Sequence, residues 1–187
     1  MKIHKLIALA MLVCIAISAH GQQPVKIKYQ GDIQAGYSVG IGSMAQDRVN
    51  LHFINSARFS DYFSAGLGVG LDLYTNFIYD APELALPIYL NAKGYVPVNR
   101  ATSFFLSFDL GASIGLTEGM EGMSGLMLVP AVGARFKTGN NKAVTLSLGY
   151  NYQAWSESII SVNTDAITLR LGYSFSVSYT HLTLPTT

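Results

Sequence analysis

The sequence predicts an all-β fold, an eight-stranded antiparallel up-and-down transmembrane β-barrel, and three observations predict it. The first is Ser103 to Leu116, where Phe104, Leu106, Phe108, Leu110, Ala112, Ile114 and Leu116 take one parity and Phe105, Ser107, Asp109, Gly111, Ser113 and Gly115 the other. A period of two marks a strand whose two faces meet different media, and roughly 9–11 tilted residues suffice to cross hydrocarbon. The second is recurrence: eight such segments of 11 to 14 residues follow one another, about twice the usual globular strand of 5–6. The third is an export leader in a chain that, beyond residue 21, has no apolar run approaching the roughly 20 residues of a membrane helix.

The leader covers residues 1–21. Lys2 and Lys5 supply its positive start, Leu6 to Ile17 its apolar stretch, and Ser18-Ala19-His20-Gly21 small residues for cleavage before Gln22. Cys14 lies inside it behind Val13, which argues against a lipid anchor, and the mature chain then holds no cysteine for a disulfide or a thiol nucleophile. Losing the two leader lysines moves the formal charge from +1 to −1, so no basic excess points to nucleic acid. Residues 22–177 make one barrel domain.

The first strand, Tyr29 to Ile41, sets Tyr29, Ile33, Ala35, Tyr37, Val39 and Ile41 outward and Gln30, Asp32, Gln34, Ser38 and Gly40 inward. The second, Arg48 to Phe59, sets Val49, Leu51, Phe53, Ala57 and Phe59 against Arg48, Asn50, His52, Ser56 and Arg58. The third, Ser64 to Thr75, alternates Leu67, Val69, Leu71 and Leu73 with Gly66, Gly68, Gly70, Asp72 and Tyr74; the fourth, Leu86 to Val96, alternates Ile88, Leu90, Ala92 and Val96 with Tyr89, Asn91, Lys93 and Tyr95. Ser103 to Leu116 is the fifth. The sixth, Leu126 to Lys137, carries Pro130, which cannot donate to a ladder and predicts a bulge or an early end. Thr138-Gly139-Asn140-Asn141-Lys142 is a tight hairpin signal before the seventh strand, Ala143 to Trp155, and Ala166 to Val177 is the eighth. Short connectors after Phe59, Val96 and Lys137 alternate with longer ones after Thr75, Leu116 and Trp155, as periplasmic turns and external loops do.

A soluble barrel also alternates, with its polar face in water. Against it, glycines gather on the polar parity, at Gly66, Gly68, Gly70, Gly111, Gly115, Gly133, Gly149 and Gly172 among others, where a narrow lumen needs small side chains. Aromatics crowd the strand ends as interface girdles do: Tyr29, Phe59, Tyr62, Phe63, Phe104, Phe136, Tyr173 and Phe175 at one edge, Phe77, Tyr79 and Trp155 at the other.

Arg170-Leu171-Gly172-Tyr173-Ser174-Phe175-Ser176-Val177 resembles the carboxy-terminal signal by which outer-membrane barrels are recognised for assembly, with Arg170, Gly172, Phe175 and Val177 at its marked positions. With Gly66-Leu67-Gly68-Val69-Gly70-Leu71-Asp72 and the stretch from Pro130 to Phe136, the chain resembles the porin-like "outer membrane protein β-barrel domain" family, relatives of OmpA/OmpX-type barrels. The resemblance implies residence in a Gram-negative outer membrane among lipid and lipopolysaccharide, biogenesis through periplasmic chaperones and the barrel-assembly machinery, and a monomer. Residues 178–187 continue past the usual end of such barrels and resemble translated adapter read-through, so a non-native disordered tail is expected.

Inward charges are the leading candidates for function: Asp32, Asp72 and Asp109 against Arg48, Arg58, Lys93, Arg135, Lys137 and Arg170. Unpaired charge in a narrow lumen is costly, so these are expected to pair into a network that plugs the barrel; the competing reading is an ion pathway. Catalysis has little to work with. His52 is the one histidine outside the leader and the tail, too few for a histidine-rich metal site, and four strand residues put Ser56 about 13 Å from it. No cofactor and no enzyme activity is expected. The loop acids Asp80, Glu83, Glu118, Glu121, Glu157 and Asp165 lack calcium-loop spacing and are read as solvated. Expected, then, is an outer-membrane protein with a structural or surface-interaction role; a small passive pore and a soluble periplasmic ligand-binding barrel are the alternatives.

Overall fold

A computed structural model describes residues 27–42, 45–75, 83–117, 123–157 and 160–177. They form β1 (Lys28–Ile41), β2 (Arg48–Arg58), β3 (Phe63–Tyr74), β4 (Glu83–Pro97), β5 (Thr102–Gly115), β6 (Ser124–Gly139), β7 (Lys142–Glu157) and β8 (Ile160–Val177). Each strand pairs antiparallel with the next, and β8 returns to β1 to close the barrel. Among the described residues no helix is long and apolar enough to cross a membrane. The leader, the tail beyond Val177, Phe77, Tyr79, Asp80, Glu118, Glu121 and the side chain of Glu157 lie outside the described residues.

Alternation dictates which way each side chain faces, and the result inverts the soluble arrangement. Leu67, Leu90 and Leu106 on the outer face are 60–62% exposed, whereas Asp72 and Arg48 on the inner face are 0% exposed. A barrel in water would need the reverse, because roughly 25 cal/mol is lost for each Å² of apolar surface left in contact with water. Phe59, Tyr62, Phe63, Phe104 and Phe136 are exposed at the short-turn end, as an aromatic girdle requires.

Inside, the wall strands divide the space unequally. β3 offers only glycines at Gly66, Gly68 and Gly70, and the rings of Tyr89 and His52 lie directly over Gly68 and Gly70, where a methyl group would collide with them. On the outer face of the closure seam, by contrast, the register sets Gly31 opposite Phe175, and the Phe175 ring covers that glycine and packs against Tyr29 with 6.2 Å between ring centroids. An apolar layer crosses the lumen as well, made by Ile54, Tyr89, Met127 and Val129.

Four expectations are corrected. β6 neither bulges nor ends at Pro130: Pro130 pairs with Phe108 of β5, and on its other edge the ladder to β7 passes from Leu128–Tyr152 to Ala131–Gly149 without a change of register. The missing N–H of the proline is absorbed as a gap of two rungs, and the register shift of β6 falls instead at Lys137/Gly139, at the hairpin. Pro87 in β4 behaves alike, pairing with Ser113 of β5 while the ladder to β3 skips from Val69–Ile88 to Asp72–Ala85. Next, the connector after Trp155 is not a long loop, because β7 continues to Glu157 and β8 starts at Ile160. β1 follows β8 only as far as Ile41–Asp165, so residues 160–164 form a hairpin arm paired with β7 alone. Third, Trp155 is 2% exposed and faces inward against Tyr74 and Ala85, since its odd position in β7 carries it into the lumen and out of the girdle. Finally, Lys137 stands exposed at the rim, two residues before the hairpin, where β6 has already passed the end of the lumen.

Candidate functional site

The inward charges sort into three levels. At the waist, Lys93 of β4 makes an ion pair with Asp32 of β1, and Arg170 of β8 reaches Asp109 of β5 with 2.9 Å from Nη1 to Oδ2. In each case the partners stand three strands apart around the ring, so the bonds cross the lumen as struts and do not run along the wall. The carboxylates are further held by neutral neighbours: Gln30 Nε2 donates to Asp32 Oδ1 at 3.1 Å, and Asn91 Nδ2 to Asp109 Oδ1 at 2.5 Å. Neither pair meets bulk water, with side-chain exposures of 2–6%. Burying such charges is costly, and pairing plus extra hydrogen bonds is what makes it tolerable.

Beside the struts, Asp72 accepts from Asn50 Nδ2 at 2.6 Å and from His52 Nε2 at 3.0 Å. A carboxylate only accepts, so His52 donates from Nε2, and its Nδ1 shares a hydrogen bond of 2.9 Å with the Tyr89 hydroxyl. Both ring nitrogens are thereby engaged, and Ser56 donates to the Gln30 carbonyl at 3.1 Å. His52 and Ser56 do not form a nucleophile and base. Among the described residues no group of three or more His, Cys, Asp or Glu could hold a metal ion.

Toward the long-loop end, Arg48 of β2 makes a third cross-lumen bridge. Its Nη1 donates to Tyr74 Oη at 2.7 Å and to Gln153 Oε1 of β7, while the Tyr74 hydroxyl donates to the same Gln153 oxygen at 2.8 Å. Trp155 packs edge-on to Tyr74 with 6.4 Å between centroids. Glu83, the first residue of β4, is 7% exposed, and Asp165 accepts from Tyr150 Oη at 2.8 Å.

At the short-turn end, Arg58 donates to the carbonyls of Ser60 (3.1 Å) and Asp61 (3.0 Å) and to Gln30 Oε1 (3.3 Å), holding the β2–β3 turn from inside. Its guanidinium carbon lies 4.6 Å from the centre of the Tyr95 ring. Arg135 sits at the same end with no ion pair or hydrogen bond among the described residues.

Of the charges singled out in sequence, Asp32, Lys93, Asp109 and Arg170 are brought together in pairs, Asp72 joins Asn50 and His52, Arg48 joins Tyr74 and Gln153, Arg58 and Arg135 make no ion pair among the described residues, and Lys137 is outside. The neutral residues Gln30, Asn91, Tyr89 and Gln153 were missed as network members. The signal that identifies them was present, since they share the inward parity with the charges. The residues read as an assembly signal lie along the closure seam: Arg170 reaches Asp109, Gly172 sits beside Thr145 and Gln34, Phe175 covers Gly31, and Val177 is 45% exposed at the end of β8.

No family model matches the chain, and no curated protein does. Among solved structures it is similar to the outer membrane protein AlkL, determined by solid-state NMR in lipid bilayers, with a TM-score of 0.55 and 11% identity over 88% of this chain and 96% of that one. It is similar also to Neisserial surface protein A, with a TM-score of 0.54 and 15% identity over 80% and 96% of the two chains. A transmembrane β-barrel designed de novo gives a TM-score of 0.50 and 12% identity over 83% and 98%. At such identities the likeness shows the shared eight-stranded membrane-barrel fold.

Proposed function

We propose that this chain is an integral protein of a Gram-negative outer membrane whose role is structural or surface-interactive, with a lumen closed by its own side chains. One observation carries the reading: the Lys93–Asp32 and Arg170–Asp109 struts cross the lumen with their charged groups buried. A conducting path would hydrate those groups. The apolar outer face sets the barrel among phospholipid and lipopolysaccharide, and the hairpin arm of β7 and β8 gives the long-loop end a contact surface. Short turns put the other end, with both strand termini, toward the periplasm, and insertion proceeds through the assembly machinery. The barrel works without catalysis, as the engagement of both His52 ring nitrogens supports.

Planar-bilayer recording of the purified protein tests this reading. No stepwise conductance is expected; steady unitary steps would replace it with the passive pore. The detergent-extracted protein should also migrate faster in cold detergent than after boiling, and recovery in a fraction released without detergent would instead indicate a soluble periplasmic barrel.

A further inference from the structure

Each buried cation of the waist has a carboxylate, and the short-turn mouth has two guanidiniums without one. Arg58 is 8% exposed and Arg135 5% exposed, yet both ion pairs of a lysine or arginine found among the described residues lie elsewhere. Arg58 is occupied by carbonyl and amide oxygens, which neutralise no charge. Arg135 makes no hydrogen bond among the described residues, and its Nε is buried without a partner.

The two side chains face each other from strands four places apart in the ring, and aromatic rings of β4 and β5 run between them. Arg58 stacks on Tyr95, Tyr95 meets Phe105 with 6.0 Å between centroids, and Phe105 lies against Gly133, two residues before Arg135 on the same inward face of β6. Arg58 lies within electrostatic range of Arg135, as do Asp32 and Asp61, neither of which forms an ion pair with it. The surrounding rim adds exposed Lys28, Arg100, Lys137 and Lys142 against exposed Asp61. Like charges facing one poorly hydrated mouth are unfavourable, and a guanidinium fork with free donors fits an oxyanion in two-point fashion.

We propose that the short-turn mouth of the lumen is an anion site in which the Arg135 guanidinium, backed by the charge of Arg58, receives a phosphate-type oxyanion. The site goes beyond the role proposed above and stands on the lumen geometry alone, so it is open to test whether or not the barrel conducts. Its ligand is either a soluble phosphate group or the phosphate of a lipid headgroup that reaches over the short turns.

Nuclear magnetic resonance of the arginine Nε–H groups reads this site directly. The full chain, folded in a maltoside detergent that carries no phosphate, is titrated with inorganic phosphate against chloride at matched ionic strength. The Arg135 resonance, identified by its loss in Arg135→Lys, is expected to shift saturably, and stabilisation of the barrel by phosphate should be at least about tenfold weaker in Arg135→Gln, the loss of a charge-assisted two-point contact. A second arm replaces detergent with phospholipid nanodiscs free of inorganic phosphate. A shift there identifies the headgroup as the source, and a shift with added phosphate alone identifies a soluble group. An Arg135 signal that moves in neither arm overturns the site, as does an Arg135→Gln protein that responds to phosphate as the parent does. If Arg135→Gln unfolds more readily than the parent in phosphate-free solution, the barrel itself holds this side chain and the proposal also fails.

Discussion

At the waist of the lumen Lys93 and Arg170 each meet a carboxylate from a strand three places away, whereas at the short-turn end Arg58 and Arg135, on strands four places apart in the ring, make no ion pair among the described residues. The inward parity is the same at both levels, so what separates them is the company each cation keeps. A charge answered across the barrel becomes part of its skeleton. A charge left unanswered at a mouth stays available to something from outside.

Asp109→Asn should break this contrast most severely. It removes the charge that answers Arg170, whose Nε and Nη2 already lack partners, and a cation stranded in this way costs about 3–5 kcal/mol. Urea unfolding of protein reconstituted in vesicles measures the loss, and a variant within 1 kcal/mol (about the size of a weak surface pair) would mean that the strut is not structural. Leu90→Arg should come next. Leu90 lies midway along β4 and is 60% exposed on the outer face, where a cation at the bilayer midplane costs about 2–4 kcal/mol; the same titration in vesicles reads it, and tolerance of the change would mean that water touches this face. Gly68→Ala is the mildest, at about 1–3 kcal/mol, because the new methyl group must displace the Tyr89 ring. Its mark should be a changed environment for the His52 ring, seen as a shifted imidazole resonance, since Tyr89 also holds His52 Nδ1.

How far the sequence could be read follows the same division. β5 was legible because its inner face is mostly polar or small and its outer face apolar, so every second residue announces its side. β6 was not, because Met127 and Val129 face inward to join Ile54 and Tyr89, and an apolar inner layer erases the contrast on which alternation depends. Trp155 was misplaced for a related reason: an aromatic at a strand end looks like a girdle residue until its parity is followed into the lumen. Lys137 has the right parity but lies past the end of the enclosed space. Which charges meet was beyond reach altogether, since Asp32 finds Lys93 and Asp109 finds Arg170 only once the stagger of strands around the closed ring is set.

The two in-strand prolines have a joint consequence. Pro87 opens its gap between β3 and β4, Pro130 opens its own between β6 and β7, and both prolines lean on β5 through Ser113 and Phe108. The staves β4, β5 and β6 therefore form a panel that is continuous within and perforated along both long margins. Amide protons beside Gly70 and Tyr150 should exchange with deuterium ahead of their neighbours, and if the cylinder ever parts sideways, these margins are its hinges.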